Sequence, residues 1–105
     1  PTMNDRISPT DSNAGRVYHR AFYRLCRIHR EIALGHYPNA KRIAEILEIN
    51  IRTAKRDIQF LKNEYRAPLI YDGRKRGYRY AEPGWTLPLD HLSEGEMLAF
   101  FIAEN

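Results

Sequence analysis

Between residues 16 and 65 apolar side chains recur at every third or fourth position, and after Pro68 the period drops to two. That order restricts the chain to a run of amphipathic helices followed by a short β element. Val17, Ala21, Phe22, Leu25, Ile28 and Ile32 form the stripe of a first helix, predicted over about Arg16 to Leu34. Gly35 is a natural C-terminal stop and Pro38 bars continuation. Arg16, Arg20, Arg24, Arg27 and Arg30 follow another face of that helix. We read this row as solvated except for one or two members. His36 and Tyr37, ahead of Pro38, are expected to be extended. Asn39 then caps a second short helix on Ala40, Ile43, Ala44 and Leu47. Glu48, Ile49 and Asn50 make a tight turn, with Asn50 capping a third helix over Ile51 to Tyr65. Its buried stripe is Ala54, Ile58, Leu61 and Tyr65.

Beyond Pro68 the signals change. Leu69–Asp72 and Tyr78–Tyr80 read as two strands joined by the glycine-bounded loop Gly73-Arg74-Lys75-Arg76-Gly77. Pro83, Gly84 and Pro88 mark a connector. Ser93 and Glu96 have capping-box spacing and open a fourth helix through Met97, Leu98, Phe100, Phe101 and Ile102. Those five apolar groups spread around more than one full turn, so one packed face cannot cover them all. Residues 1–14 are rich in Pro, Ser, Thr and Asn and are expected to be a disordered arm. The predicted organisation is an arm to residue 14, one domain over 15–82, and a connector and helix over 83–105 that must bury a second face against a further domain or another copy of the chain and is a candidate dimerisation element.

The charges are segregated. Residues 16–80 carry 16 Lys and Arg against 6 Asp and Glu, a net +10. Residues 81–105 carry five acids and no Lys or Arg, a net −5. A compact +10 block points to a polyanion, either nucleic acid or an acidic membrane surface. No stretch of 18 apolar residues is present, so no membrane span is expected. The single cysteine, Cys26, has no internal disulfide partner and points to a reducing compartment. It lies beside the apolar stripe and reads as a packing residue. His19, His29, His36 and His91 lack metal-ligand spacing, so no metal and no cofactor are expected. No nucleophile–base pair, phosphate-cradling glycine loop or paired carboxylates appear, so an enzyme is not expected.

The fold class is therefore mainly α with a small β-hairpin, in the element order of a winged helix–turn–helix. In that arrangement the second helix of the pair stands proud and can enter a major groove about 12 Å wide, and the hairpin lies along the backbone or in the minor groove. The candidate DNA-binding residues are Arg52, Thr53, Lys55, Arg56 and Gln59 on the third helix and Arg74, Lys75 and Arg76 at the hairpin tip. Arg can bond guanine bidentately or hold a phosphate, and Thr can do either or touch a thymine methyl. Three adjacent cations on a short turn repel one another, which a bound polyanion relieves. Asp57 is unsuited to a phosphate and is expected to pair with an Arg or a backbone group. Tyr78 and Tyr80 are expected to pack rather than to stack on bases.

Three segments, "YPNAKRIAEILEI", "RTAKRDIQFL" and "APLIYDGRKRGYRY", together resemble the DeoR-like winged helix–turn–helix that precedes a WYL domain in bacterial transcriptional regulators. The tail "LPLDHLSEGEMLAFFIAEN" is similar to the segment leading into the WYL domain, and the likeness covers about residues 23–105. The resemblance implies that Arg52, Thr53 and Arg56 face DNA and that Asp57 is tied into the scaffold. It also implies a ligand-sensing WYL domain beyond residue 105, and homodimers on inverted-repeat operators in the cytoplasm, at the nucleoid. Some such regulators control phage-defence operons. This sequence departs from the pattern at Glu48, where many such turns have Gly, and at Asn50, where Ser is common. The expected function is sequence-specific binding of double-stranded DNA. Alternatives are a winged helix used for protein contacts, the regulatory domain of a larger enzyme such as a biotin ligase, and an RNA-binding winged helix.

Overall fold

The helical periodicity resolves into four helices and the two-residue period into one hairpin. The computed structural model describes the backbone of residues 9–104 and the side chains of residues 20–104. The order is α1 (Pro9–Ala33), α2 (Ala40–Leu47), α3 (Ile51–Asn63), β1 (Leu69–Asp72), β2 (Gly77–Tyr80) and α4 (Glu94–Glu104). The strands are antiparallel, with Leu69 opposite Tyr80 and Asp72 opposite Gly77.

α1 is described from Pro9, ahead of the Arg16 start the apolar stripe predicts. The expected arm therefore is helical from Pro9 onward, and residues 1–8 lie outside the described residues, as does the side chain of Val17. The predicted α1 stripe is otherwise buried at Phe22, Leu25, Ile28 and Ile32, joined by Cys26 and His29. At the other end Gly35 takes φ +77°. The His36 amide then reaches the Glu31 carbonyl at 3.1 Å and the Gly35 amide that of Ile32 at 3.0 Å. This closes the helix through a left-handed residue, as only glycine does without strain.

Both predicted N-caps form. The Asn39 side chain accepts from the Arg42 amide at 2.7 Å and the Asn50 side chain from the Arg52 amide at 2.7 Å. α2 and α3 meet through Ile43, Ala44, Ala54, Ile58 and Leu61, all in the common core. α3 ends at Asn63, two residues short of the predicted Tyr65, whose ring is half-buried and lies edge-on to Phe60 at 5.8 Å.

The turn between α2 and α3 is built on Glu48, which adopts φ 54°, ψ 47°. This is the position where a glycine is common in comparable turns, and the geometry explains why. A left-handed residue with a Cβ costs roughly 1–2 kcal/mol, against which glycine loses more chain entropy on folding. Glu48→Gly is therefore expected to raise stability by about 0.5–1 kcal/mol and Glu48→Val to lower it, read from the midpoint of urea unfolding. Equal midpoints for all three would contradict strain at this turn.

One local expectation is corrected. Tyr37 is not extended but sits at φ 51°. The segment bends there so that the buried Pro38 presents its carbonyl to the Tyr78 amide, at 2.8 Å. The hairpin is thereby fastened to the residues that precede α2.

The connector is anchored by the buried Leu87 and by Trp85. Trp85 packs on Tyr80 at 4.9 Å and on His29 at 5.7 Å between ring centroids. His29 Nδ1 also shares a 2.7 Å hydrogen bond with the Tyr80 hydroxyl. Burial holds the His29 pKa below its ordinary value, against a smaller opposing pull from Glu104. α4 opens with the predicted capping box. The Ser93 amide donates to Glu96 Oε1 at 2.8 Å and the Glu96 amide to Ser93 Oγ at 3.1 Å. The helix packs along α1 with its small residues, Ala99 and Ala103, facing inward. Cys26, beneath them, has its thiol pushed up to about 12 by burial and by the nearby Glu104 and Glu96. It is a protonated core residue, in line with its place beside the stripe.

Candidate nucleic-acid interface

The exposed face of α3 follows from its buried one. Ala54, Asp57, Ile58 and Leu61 point inward. At about 100° per residue, Arg52, Lys55, Arg56 and Gln59 then fall together on the opposite side. All four are exposed, and Thr53 is half-buried at the margin of that face. The five residues singled out on this helix are therefore four outward groups and one flanking group.

Asp57 is the acid that turns away. It is 7 % exposed and pairs with Arg24 of α1, with Nε 2.6 Å from Oδ2 and Nη2 3.3 Å from Oδ1. The pair fixes α3 against α1, and it draws one member of the α1 arginine row out of the solvated face. Arg27 is a second member with a partner, donating to the Tyr23 hydroxyl at 2.8 Å. Arg20 is exposed and Arg30 half-buried, with no such partner among the described residues. Arg16 lies outside the described side chains.

The hairpin tip is shaped by Asp72. Its Oδ1 accepts from the amides of Arg74 and Lys75, each at 3.0 Å. Its Oδ2 lies 3.3 Å from Arg79 Nε. The Lys75 amide, then that of Arg74, and Arg79 hold the Asp72 carboxyl below the usual carboxylate range, outweighing a smaller desolvation effect. The tip closes with Arg76 at φ 60°, its amide donating to the Asp72 carbonyl at 2.7 Å. Arg74, Lys75 and Arg76 are all exposed. Lys75 Nζ sits 5.4 Å from the centre of the Tyr37 ring, and the Asn39 amide group reaches the Arg76 carbonyl at 3.5 Å. The basic tip is thus held beside the N-terminus of α2.

Two sets of cations result, one on α3 and one on the tip. No ion pair among the described residues involves Arg52, Lys55, Arg56, Arg74, Lys75 or Arg76. The acids pair elsewhere, Asp57 with Arg24, Glu31 with His36, Glu45 with Arg42 and Asp72 with Arg79. Three such cations on the outward face of α3 and three on the hairpin tip are each suited to an anion.

Sequence reasoning missed several residues that share these surfaces. Lys41 is exposed in the first turn of α2, whose cap residue Asn39 reaches the tip. Tyr37 was hidden because its role depends on a hairpin 38 residues away in the chain. Tyr71 on β1 is 53 % exposed and meets Tyr78 edge-on at 5.3 Å. Strand alternation around Tyr78 and Tyr80 could have signalled it. Tyr78 and Tyr80 themselves are half-buried and packed, Tyr80 against His29 and Trp85.

No group of three His, Cys, Asp or Glu side chains among the described residues is arranged to hold a metal ion. No helix among them is long and apolar enough to cross a membrane. Comparison with family models, with curated proteins and with solved structures gives no match to this chain.

Proposed function

We propose that this chain is a winged helix–turn–helix that binds double-stranded DNA sequence-specifically, as the DNA-binding part of a bacterial transcriptional regulator. The observation that carries the reading is the set of six cations without acidic partners among the described residues, three on the outward face of α3 and three on the hairpin tip. α3 would lie in the major groove, with Arg52, Arg56 and Gln59 reaching base edges and Lys55 a phosphate. Thr53, at the margin, would meet the backbone. The tip would follow the phosphates or enter the minor groove through Arg74, Lys75 and Arg76. The resemblance to regulators with a WYL domain supports the same assignment, including homodimers on an inverted-repeat operator and some members that control phage-defence operons. A protein-docking use of α3 is disfavoured by its outward face, which holds Arg52, Lys55, Arg56 and Gln59 with Phe60 at one side.

The two sets predict different losses. Arg56→Ala should cost about 1–3 kcal/mol on the selected site and relax its sequence preference, because a base contact carries discrimination. Arg74→Ala should weaken binding to all duplexes alike, because a backbone contact positions without specifying. The experiment selects bound sites from random duplex DNA, then measures both variants on the selected and on scrambled sequences. Equal losses on both sequences for both variants would contradict the placement of α3, and no selectable duplex would contradict the function.

A further inference from the structure

We propose that the cleft where the hairpin meets the connector is a binding site for a free aromatic α-amino acid. The site stands on its own geometry and does not depend on the DNA-binding reading.

The cleft holds about 340 Å³ and opens between the C-terminal end of α1, Tyr37, β2 and the connector. That volume lies at the small end of the roughly 300–1,000 Å³ usual for small-molecule sites. Its wall is aromatic. Tyr37, Tyr80 and Trp85 all line it, together with the buried Ile32. The protein itself sets these rings in place. The Tyr80 hydroxyl shares a 2.7 Å hydrogen bond with His29 Nδ1, and Trp85 packs on both of those rings. Tyr37 is set at φ 51°, and the next residue's carbonyl takes the Tyr78 amide. A site already in its bound shape avoids much of the ordering cost of binding. Gly35 and Gly84 also line the cleft, and no atom lies within 4 Å of where a side chain on either would begin, so its mouth is clear.

Two charged residues join the rings in the lining, and they select the ligand. Arg79 Nε lies 3.3 Å from Asp72 Oδ2, and Arg79 Nη1 donates to the Tyr80 carbonyl at 3.4 Å. Its Nη2 has no partner among the described residues. Glu82 is exposed, and its carboxylate pairs with no base among them. A simple cation over the rings would meet Arg79, and also Lys75, whose Nζ already sits 5.4 Å from the centre of the Tyr37 ring. A simple anion would meet Glu82. A zwitterion with an aromatic body suits both charges and the wall. Its ring packs among Tyr37, Tyr80 and Trp85 as aromatic rings prefer, edge-on or offset. Its carboxylate accepts from Arg79 Nη2, and its ammonium donates to Glu82. Both charged contacts stay partly solvated and the ligand is small, so dissociation is expected on the order of 1 mM.

Trp85 is the single tryptophan of the chain, so its fluorescence reports on the cleft directly. Phenylalanine, which does not absorb at the red edge of tryptophan excitation, is the probe. Titrated into the whole chain up to about 20 mM, it should change the Trp85 emission along a saturating curve. Phenylacetate lacks the ammonium, phenethylamine the carboxylate and alanine the ring, and each should bind roughly threefold or more weaker. Glu82→Gln, at an exposed position, should raise the dissociation constant of phenylalanine roughly threefold and leave that of phenylacetate unchanged. Arg79→Gln, shown to be folded by circular dichroism, should do the same for phenylalanine and leave phenethylamine unchanged. No saturating change with phenylalanine would overturn the proposal, as would a Glu82→Gln chain that binds it like the parent. Equal affinity for the N-acetyl amide of phenylalanine would overturn it too, since the cleft would then take an aromatic side chain of a peptide.

Discussion

Gly77→Ala is expected to destabilise the fold by about 3 kcal/mol or more, a large fraction of the roughly 5–15 kcal/mol that holds an ordinary domain folded. A Cβ built on Gly77 would lie 1.7 Å from the Tyr37 carbonyl oxygen and 2.3 Å from its carbon. These are backbone atoms and cannot rotate away. Tyr37 is already held at positive φ, and the next residue's carbonyl receives the Tyr78 amide, so moving the segment also breaks that bond. The matched control is Gly73→Ala, four residues earlier in the same hairpin, where nothing lies within 4 Å of the added carbon. That change should be within about 0.5 kcal/mol of neutral. Urea unfolding followed by circular dichroism measures both. Similar midpoints for the two variants would show that the hairpin does not dock on residues 36–38. If it does, Gly77 sets the angle of the basic tip relative to α2 and α3.

Arg24→Ala is expected to cost about 2–3 kcal/mol. Removing one partner of a fully buried pair costs about 3–5 kcal/mol, because the other charge is stranded. Asp57 is buried, but the Arg24 side chain keeps 24 % of its surface, so the upper part of that range is discounted. Arg27→Ala is the comparison. Its guanidinium lies over the Tyr23 ring and donates to the Tyr23 hydroxyl, pairing with no acid among the described residues, and its loss should cost under about 1 kcal/mol. Asp57→Asn, which keeps an acceptor for Arg24, should fall between them. Thermal melts of the three variants give the order, and equal melting for Arg24→Ala and Arg27→Ala would show that α3 is not fixed through this pair.

What could be read in advance divides along a physical line. Local signals were reliable, because caps and periods act within a few residues. Asn39, Asn50 and the Ser93–Glu96 box all do what their spacing indicates, and Ala54, Ile58 and Leu61 are buried together. Contacts between distant segments were not legible. Asp57 was expected to find an arginine, but nothing near it in the chain identifies Arg24, 33 residues earlier. The close approach of Gly77 to Tyr37 has no local signature either. On α4 the five large apolar residues dominate the local pattern, and Ala99 and Ala103 carry no local signal of burial. Close packing against α1 selects the small side chains, and so leaves Leu98 and Phe101 outside. The outward face of α3 was legible because it is the complement of a buried stripe. The surroundings of the hairpin tip were not, because Tyr37 and Asn39 reach it only through the tertiary fold.

The central claim is that the cations on α3 and on the hairpin tip bind duplex DNA, and its most direct test is the salt dependence of that binding. About four to six neutralised phosphates give a slope of log K against log salt near −4 to −5. Fluorescence anisotropy of a labelled duplex, titrated with the chain between about 50 and 300 mM salt, should return that slope. A slope near zero, or no binding at the lowest salt, would contradict the account.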